Sequence, residues 1–263
     1  MSTLEAFILG IIQGISEFLP VSSSGHLTLG QHLFGLNNLQ KNILFDLFCH
    51  LGTLVAIFFV YGTEIRNLFI NNRLRLKQIV IGTLPLFPLL LILKPVESTF
   101  DQTRYLGLLF IVTALLLYLG IKFGRDKPED QLKKKWWQHA LVIGIFQMIA
   151  ILPGVSRSGS TISGARLLGW NRHDAVMFSF LLVIPAILGG TVLKLLLLFF
   201  GDQSIHHPLG ISQYVAGFST SFIFGYFALL LLIRLAVKEK FIYFVWYCLF
   251  LGIATAIFFY INP

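Results

Sequence analysis

Long apolar runs, separated by short polar breaks, dominate this chain. Six runs are long enough to cross a bilayer, at roughly 42–61, 79–94, 105–121, 174–200, 211–233 and 241–260. About 20 apolar residues, rising 1.5 Å each, cover the hydrocarbon layer as a helix. None of the runs alternates apolar and polar residues as a membrane β-strand does. The pattern predicts an all-α polytopic membrane protein with six transmembrane helices.

Two more apolar stretches, about 4–19 and 136–152, are too short to span. Each closes on a Leu-Pro pair, Leu19-Pro20 and Leu152-Pro153, and runs into a Ser/Gly-rich loop followed by a second helix-compatible stretch. The breaks at 62–78, 122–138 and 234–240 are rich in Lys and Arg, whereas 94–104 is balanced and 201–210 carries only Asp202. A Lys/Arg excess marks the cytoplasmic side, so six spans leave both termini outside. That count works only if 4–35 and 136–169 are re-entrant helical hairpins, the first dipping in from outside and the second from the cytoplasm. The hairpins also match in sequence: Gln13 and Gln147 are 134 residues apart, as are Ser22-Ser23-Ser24-Gly25 and Ser156-Arg157-Ser158-Gly159. One integral membrane domain over 1–263 is therefore expected, built as an inverted-topology repeat. Repeat 1 covers about 1–121 and repeat 2 about 136–260, each a hairpin plus three spans. Paired, Gly/Pro-interrupted short segments in such repeats point to a site where the broken tips meet.

Composition agrees with the spans: 56% of residues are hydrophobic and 12% charged, against about 25% charged in soluble domains. The net charge of +8 lies mostly in the short breaks, which argues against a nucleic-acid partner. Cys49 and Cys248 lie inside apolar runs and read as small hydrophobes. The N-terminal stretch MSTLEAF has no basic residue, so no cleaved signal is expected. His206 and His207 read as solvated, His139 and His173 as cytoplasmic-interface residues, and Lys194 as a snorkelling residue near a span end. Asp46 and His50, four residues apart, read as support or interhelical hydrogen bonding.

The chemistry gathers at the tips. Glu17, His26 and Arg157 are ionisable groups at membrane depth, where such groups default to function, although a Glu17–Arg157 pair that only pins the hairpins together would also satisfy them. Ser22, Ser24, Gly25, Ser156, Ser158 and Gly159 surround them. Hydroxyls, close-approaching glycine backbone and a planar guanidinium make a cradle for phosphate or diphosphate. Beside an anion a carboxylate must hold a metal ion or act as a base. Glu17 then suits a divalent cation shared with substrate phosphates, Mg²⁺ or Ca²⁺, and Gln13, one turn away, can help hold it. A serine and a histidine nearby suit a nucleophile and a general acid/base. The same constellation would also suit a transporter or flippase for a phosphorylated anion.

The stretches QGISEFLPVSSSGH, residues 13–26, and PGVSRSGSTI, residues 153–162, resemble the two motifs of the bacterial undecaprenyl-diphosphatase, or bacitracin-resistance, family. FDLFCHLGTL and FSFLLVIPAILGG are similar to its other segments, so the likeness extends over essentially the whole chain. The resemblance implies hydrolysis of a polyprenyl diphosphate lipid to its monophosphate and inorganic phosphate. This recycles a carrier for peptidoglycan and envelope polymers and accompanies bacitracin resistance. It also implies a divalent cation, a homodimer, and a site opening outward from the bacterial inner membrane. By motif matching Glu17, His26 and Arg157 carry over as functional, and Ser22–Ser24 as the loop supplying a nucleophile, for which Ser23 is the choice. Attack by His26 or by water stays open at this point.

Overall fold

The computed structural model describes residues 1–36, 43–88, 103–200 and 209–261. The helices are α1 Thr3–Phe18, α2 Ser23–Leu33, α3 Ile43–Val60, α4 Gly62–Ile70, α5 Arg73–Thr83, α6 Leu106–Phe123 (entered through a 3-10 turn, Thr103–Tyr105), α7 Glu129–Lys134, α8 Trp136–Ile149, α9 Arg157–Leu168, α10 Arg172–Phe200, α11 Ile211–Val237 and α12 Ile242–Ile261. The described residues contain no strand.

Five of these helices are long and apolar enough to cross a membrane: α3, α6 with its entry turn, α10, α11 and α12. Between 33% and 44% of each apolar window is buried inside the protein, so most of each helix turns outward. Phe59, Phe227, Phe250 and Tyr260 lie on those outward faces. A surface so apolar is stable against lipid and not against water, and the chain is a multi-pass membrane protein. The sixth expected span, 79–94, starts inside α5. Its far end, most of the 94–104 loop, His206 and His207 lie outside the described residues.

Close packing of the helices depends on small residues. A Cβ added at Gly14 of α1 would stand 2.7 Å from Ser221 O and 2.8 Å from Gly225 N of α11, and one at Gly107 of α6 would stand 2.6 Å from Gly252 O of α12. Without a hydrophobic drive between helices in lipid, such backbone approach is a principal source of attraction. α1 is also fixed at its start by a capping box in which Ser2 Oγ accepts from Glu5 N and Ser2 N donates to Glu5 Oε2. Its far end rests on the core, where Phe18 meets Phe180 edge-on at 5.5 Å between ring centroids. That contact holds the end of α1, next to Glu17, against α10.

The Lys/Arg-rich end has its own buried polar cluster. Arg166 donates to Asp126, to Trp170 O at 2.6 Å and to Gly124 O at 2.9 Å. Arg75 lies 4.8 Å over the Trp170 ring. His139, expected at a solvated interface, is instead buried and accepts from Trp170 Nε1 at 3.2 Å, because α8 packs into the bundle here.

Candidate active site

Both tips are helix starts capped in the same way. α1 ends at Phe18, and Ser22 caps α2 by accepting from Gly25 N at 3.3 Å. α8 ends at Ile149, and Ser156 caps α9 by accepting from Gly159 N at 3.0 Å. Each cap serine sits 3.3 Å from the hydroxyl two residues on, Ser24 in one tip and Ser158 in the other. The tips touch: Ser158 Oγ donates to Leu19 O at 3.3 Å, and a Cβ at Gly25 would stand 3.0 Å from Gly154 Cα. Thr113 of α6 ties down the second tip, donating to Gly154 O at 2.9 Å and accepting from Ser156 N at 2.9 Å.

Glu17 is the hub. Its Oε1 accepts from Arg157 Nη2. Its Oε2 accepts from Ser23 Oγ at 2.6 Å and from Gln13 Nε2 at 3.0 Å, with His50 Nε2 at 3.8 Å. The carboxylate and Gln13 are buried, while Arg157 retains some exposure. A buried charge needs a partner and hydrogen bonds of this kind to remain charged. Beside this hub lies a cavity of about 290 Å³, lined by Glu17, Ser23, Arg157, His50, Thr191 and Lys194 among others.

The structure brings Gln13, Glu17, Ser23 and Arg157 together, and Ser22, Ser24 and Ser156 share the cavity wall. It turns His26 away. The Nδ1–H of His26 donates to Ser22 O at 2.7 Å, so its Nε2 is left to accept from the Tyr247 hydroxyl at 2.7 Å, with the two rings stacked. Gly25, Ser158 and Gly159 are buried in the caps and the contact between the tips, and none of them lines the cavity.

Two residues that the sequence assigned to support or to the interface stand on the cavity wall. His50 donates from Nδ1 to the Asp46 carbonyl at 2.6 Å, which turns its Nε2 toward Glu17. Asp46 itself accepts from Gln31 of α2 at 3.0 Å, the interhelical bond its spacing suggested. Lys194 of α10 lines the cavity as well. The i, i+4 spacing of Asp46 and His50 was a visible signal. No local signal reveals which way α10 turns Lys194.

The donor set fits a hard divalent cation. Among the described residues Gln13 Oε1 is buried without a hydrogen-bond partner and Glu17 Oε1 accepts a single bond, so one amide and one carboxylate oxygen have lone pairs to give. Among the described residues no three His, Cys, Asp or Glu side chains cluster to hold a metal.

A family profile described as bacitracin resistance protein BacA matches residues 6–254. The chain belongs to this family. A protein named undecaprenyl-diphosphatase from Protochlamydia amoebophila is 50% identical over 98% of this chain and 99% of its own length. Proteins of the same name from Carboxydothermus hydrogenoformans and Alkaliphilus metalliredigens are 39% and 37% identical, each over 98% of this chain and 97% and 99% of their own lengths.

Proposed function

We propose that this protein hydrolyses undecaprenyl diphosphate to undecaprenyl phosphate and inorganic phosphate, returning the carrier lipid to envelope polymer synthesis and so opposing bacitracin. The observation that carries this reading is the bond from Ser23 Oγ to Glu17 Oε2 at 2.6 Å, beside Arg157 in an open cavity. Phosphate binding alone needs the arginine and the hydroxyls. A nucleophile hydrogen-bonded to a carboxylate base is a feature that chemistry requires.

Arg157 grips the terminal phosphate with its planar fork and neutralises charge developing in the transition state. Ser23 Oγ attacks the terminal phosphorus as Glu17 takes its proton. The Oγ–P bond forms, the bridging P–O bond breaks, and the prenyl phosphate departs with the proton passed on from Glu17. Water then attacks the phosphoserine. Its proton moves through Glu17 to Ser23 Oγ, and inorganic phosphate leaves. His26 acts as a positioning residue, holding the Ser22 carbonyl that sets the start of α2. A divalent cation held by Glu17 and Gln13 would supply further charge neutralisation on the diphosphate.

The two tips are read as the midpoints of an inverted repeat, with both termini and the cavity mouth on the outer face of a bacterial plasma membrane. The equal offset of the caps Ser22 and Ser156 supports the repeat, and the Lys/Arg-rich opposite end supports the orientation. A homodimer is part of the same proposal.

The test is phosphate release from undecaprenyl or farnesyl diphosphate by purified protein in detergent, with Mg²⁺ and then with EDTA. Metal-dependent release, absent in Glu17→Ala and Ser23→Ala, is the expected result. Binding of the lipid without release would instead make the site that of a transporter or flippase.

A further inference from the structure

α10 faces the cavity with a single stripe. Ile187, Gly190, Thr191 and Lys194 recur at three- and four-residue steps, which align on one side of a helix, and all four line the cavity that holds Ser23 and Arg157. Two polar groups on this stripe are unused. Thr191 Oγ1 is buried and makes no hydrogen bond among the described residues. Thr83 and Thr220, also helical, satisfy their hydroxyls on the carbonyl four residues back, at 2.8 and 2.7 Å, a bond Thr191 does not take up. Lys194 forms no hydrogen bond or ion pair among the described residues. It acts electrostatically on Asp46 of α3, whose carboxylate already accepts from Gln31.

A diphosphate brings two phosphates into this cavity, and in the mechanism above Ser23 and Arg157 are committed to the one under attack. The other phosphate would sit against walls that include Leu47, Ile151, Val155 and Ile187, where an unpaired anion is costly. A free ammonium and a free hydroxyl one turn apart meet that need. We infer that Lys194 and Thr191 hold the phosphate that stays on the lipid. The inference rests on the phosphatase reading above. It makes α10 the wall that recognises the product as well as the substrate, so the monophosphate should compete for the same place.

The experiment uses the full chain in detergent, as wild type, Lys194→Met, Lys194→Arg and Thr191→Val. Each is assayed with farnesyl diphosphate in the presence of farnesyl monophosphate or inorganic phosphate as inhibitor. Losing one charge-assisted contact should raise both KM and the monophosphate inhibition constant about tenfold in Lys194→Met. Inhibition by inorganic phosphate and kcat should move much less. Lys194→Arg should recover most of the loss, and Thr191→Val should lose a few-fold. Unchanged monophosphate inhibition in Lys194→Met, or a loss confined to inorganic phosphate, would overturn the assignment. Failure of the phosphatase reading looks different, because wild type itself then releases no phosphate. Direct titration with farnesyl monophosphate would in that case still decide whether Lys194 binds it. Melting curves in detergent separate these outcomes from misfolding.

Discussion

In the first tip Ser22 caps α2 through Gly25, and in the second Ser156 caps α9 through Gly159, with a neighbouring hydroxyl 3.3 Å from each cap. The capping bonds are therefore nearly the same. What it presents is not. The residue before α1 ends is a carboxylate, Glu17, backed by Gln13. The glutamine 134 residues on, Gln147, is buried with neither side-chain polar atom bonded among the described residues and has Ile151 one turn beyond it. The first residue of α2 is Ser23, whereas the first residue of α9 is Arg157. One tip thus carries the carboxylate and the serine hydroxyl and the other the guanidinium, which the proposed mechanism uses as base, nucleophile and cation, a division that a pair of identical tips could not make. Capping chemistry sets where the side chains start, and single residues at those starts decide what each tip does.

The sharpest way to break this division is to remove its central pair. Glu17→Ala or Arg157→Ala should cut phosphate release by at least about 10³-fold, since each removes a group acting on the reacting phosphate. Each should also lower stability by about 3–5 kcal/mol, because the buried partner is left charged and unpaired. The double change Glu17→Gln with Arg157→Met should melt above either single variant while staying inactive. A double variant less stable than both would mean the pair mainly holds the hairpins together.

Ser23→Ala set against Ser158→Ala sharpens the comparison. The first should lose about 10³-fold in kcat with substrate binding kept, and the second only a few-fold, since Ser158 Oγ serves Leu19 O and Ser156. Equal losses, read by single-turnover phosphate release, would place the nucleophile elsewhere. His26→Ala should fall between them, at about a hundredfold, by leaving the Ser22 carbonyl only its main-chain bond from His26 N at 3.2 Å. Tyr247→Phe, which removes only the outer hydrogen bond of that ring, should stay within a few-fold. A Tyr247→Phe loss as deep as that of His26→Ala would mean that Nε2, and not the clamp on Ser22, is what the reaction uses.

Much of this arrangement was legible before any coordinates. Apolar run length gave five of the six expected spans, and the placement of Leu-Pro and Ser-x-Ser-Gly gave two helix breaks with Glu17 and Arg157 beside them. Those features are local, written in composition and spacing. What stayed hidden depends on rotation about a helix axis and on side-chain choice. His26 lies in the motif beside Ser23 but turns toward Tyr247 of α12, more than two hundred residues away in sequence. Lys194 looked like an interface residue by its place near the end of a run, yet α10 turns it onto the cavity wall. Pro185 inside α10 removes a backbone donor and bends such helices, which makes the facing of residues beyond it hard to read from periodicity. The second hairpin also breaks earlier than the first. α8 stops at Ile149, three residues short of Leu152, so a longer connector leads into an equally placed cap.

The smallest predicted effect tests the one backbone difference between the caps. Ser22 has φ 72° and ψ 95°, a left-sided conformation rare for a residue with a Cβ, while Ser156 has φ −71°. Such strain costs about 1–3 kcal/mol and tends to persist where function needs it. Glycine adopts positive φ freely and gives up only a few tenths of a kcal/mol as a cap. Ser22→Gly should therefore be neutral or slightly stabilising, whereas Ser156→Gly gains no backbone relief and should lose a few tenths of a kcal/mol. The two melting temperatures should move in opposite directions or differ clearly. If Ser22→Gly melts higher but releases phosphate more slowly, the strained cap is what points Ser23 at Glu17, and the first tip has traded stability for aim. If both variants fall together, the strain is not stored at Ser22, and the tips differ only in the side chains they carry.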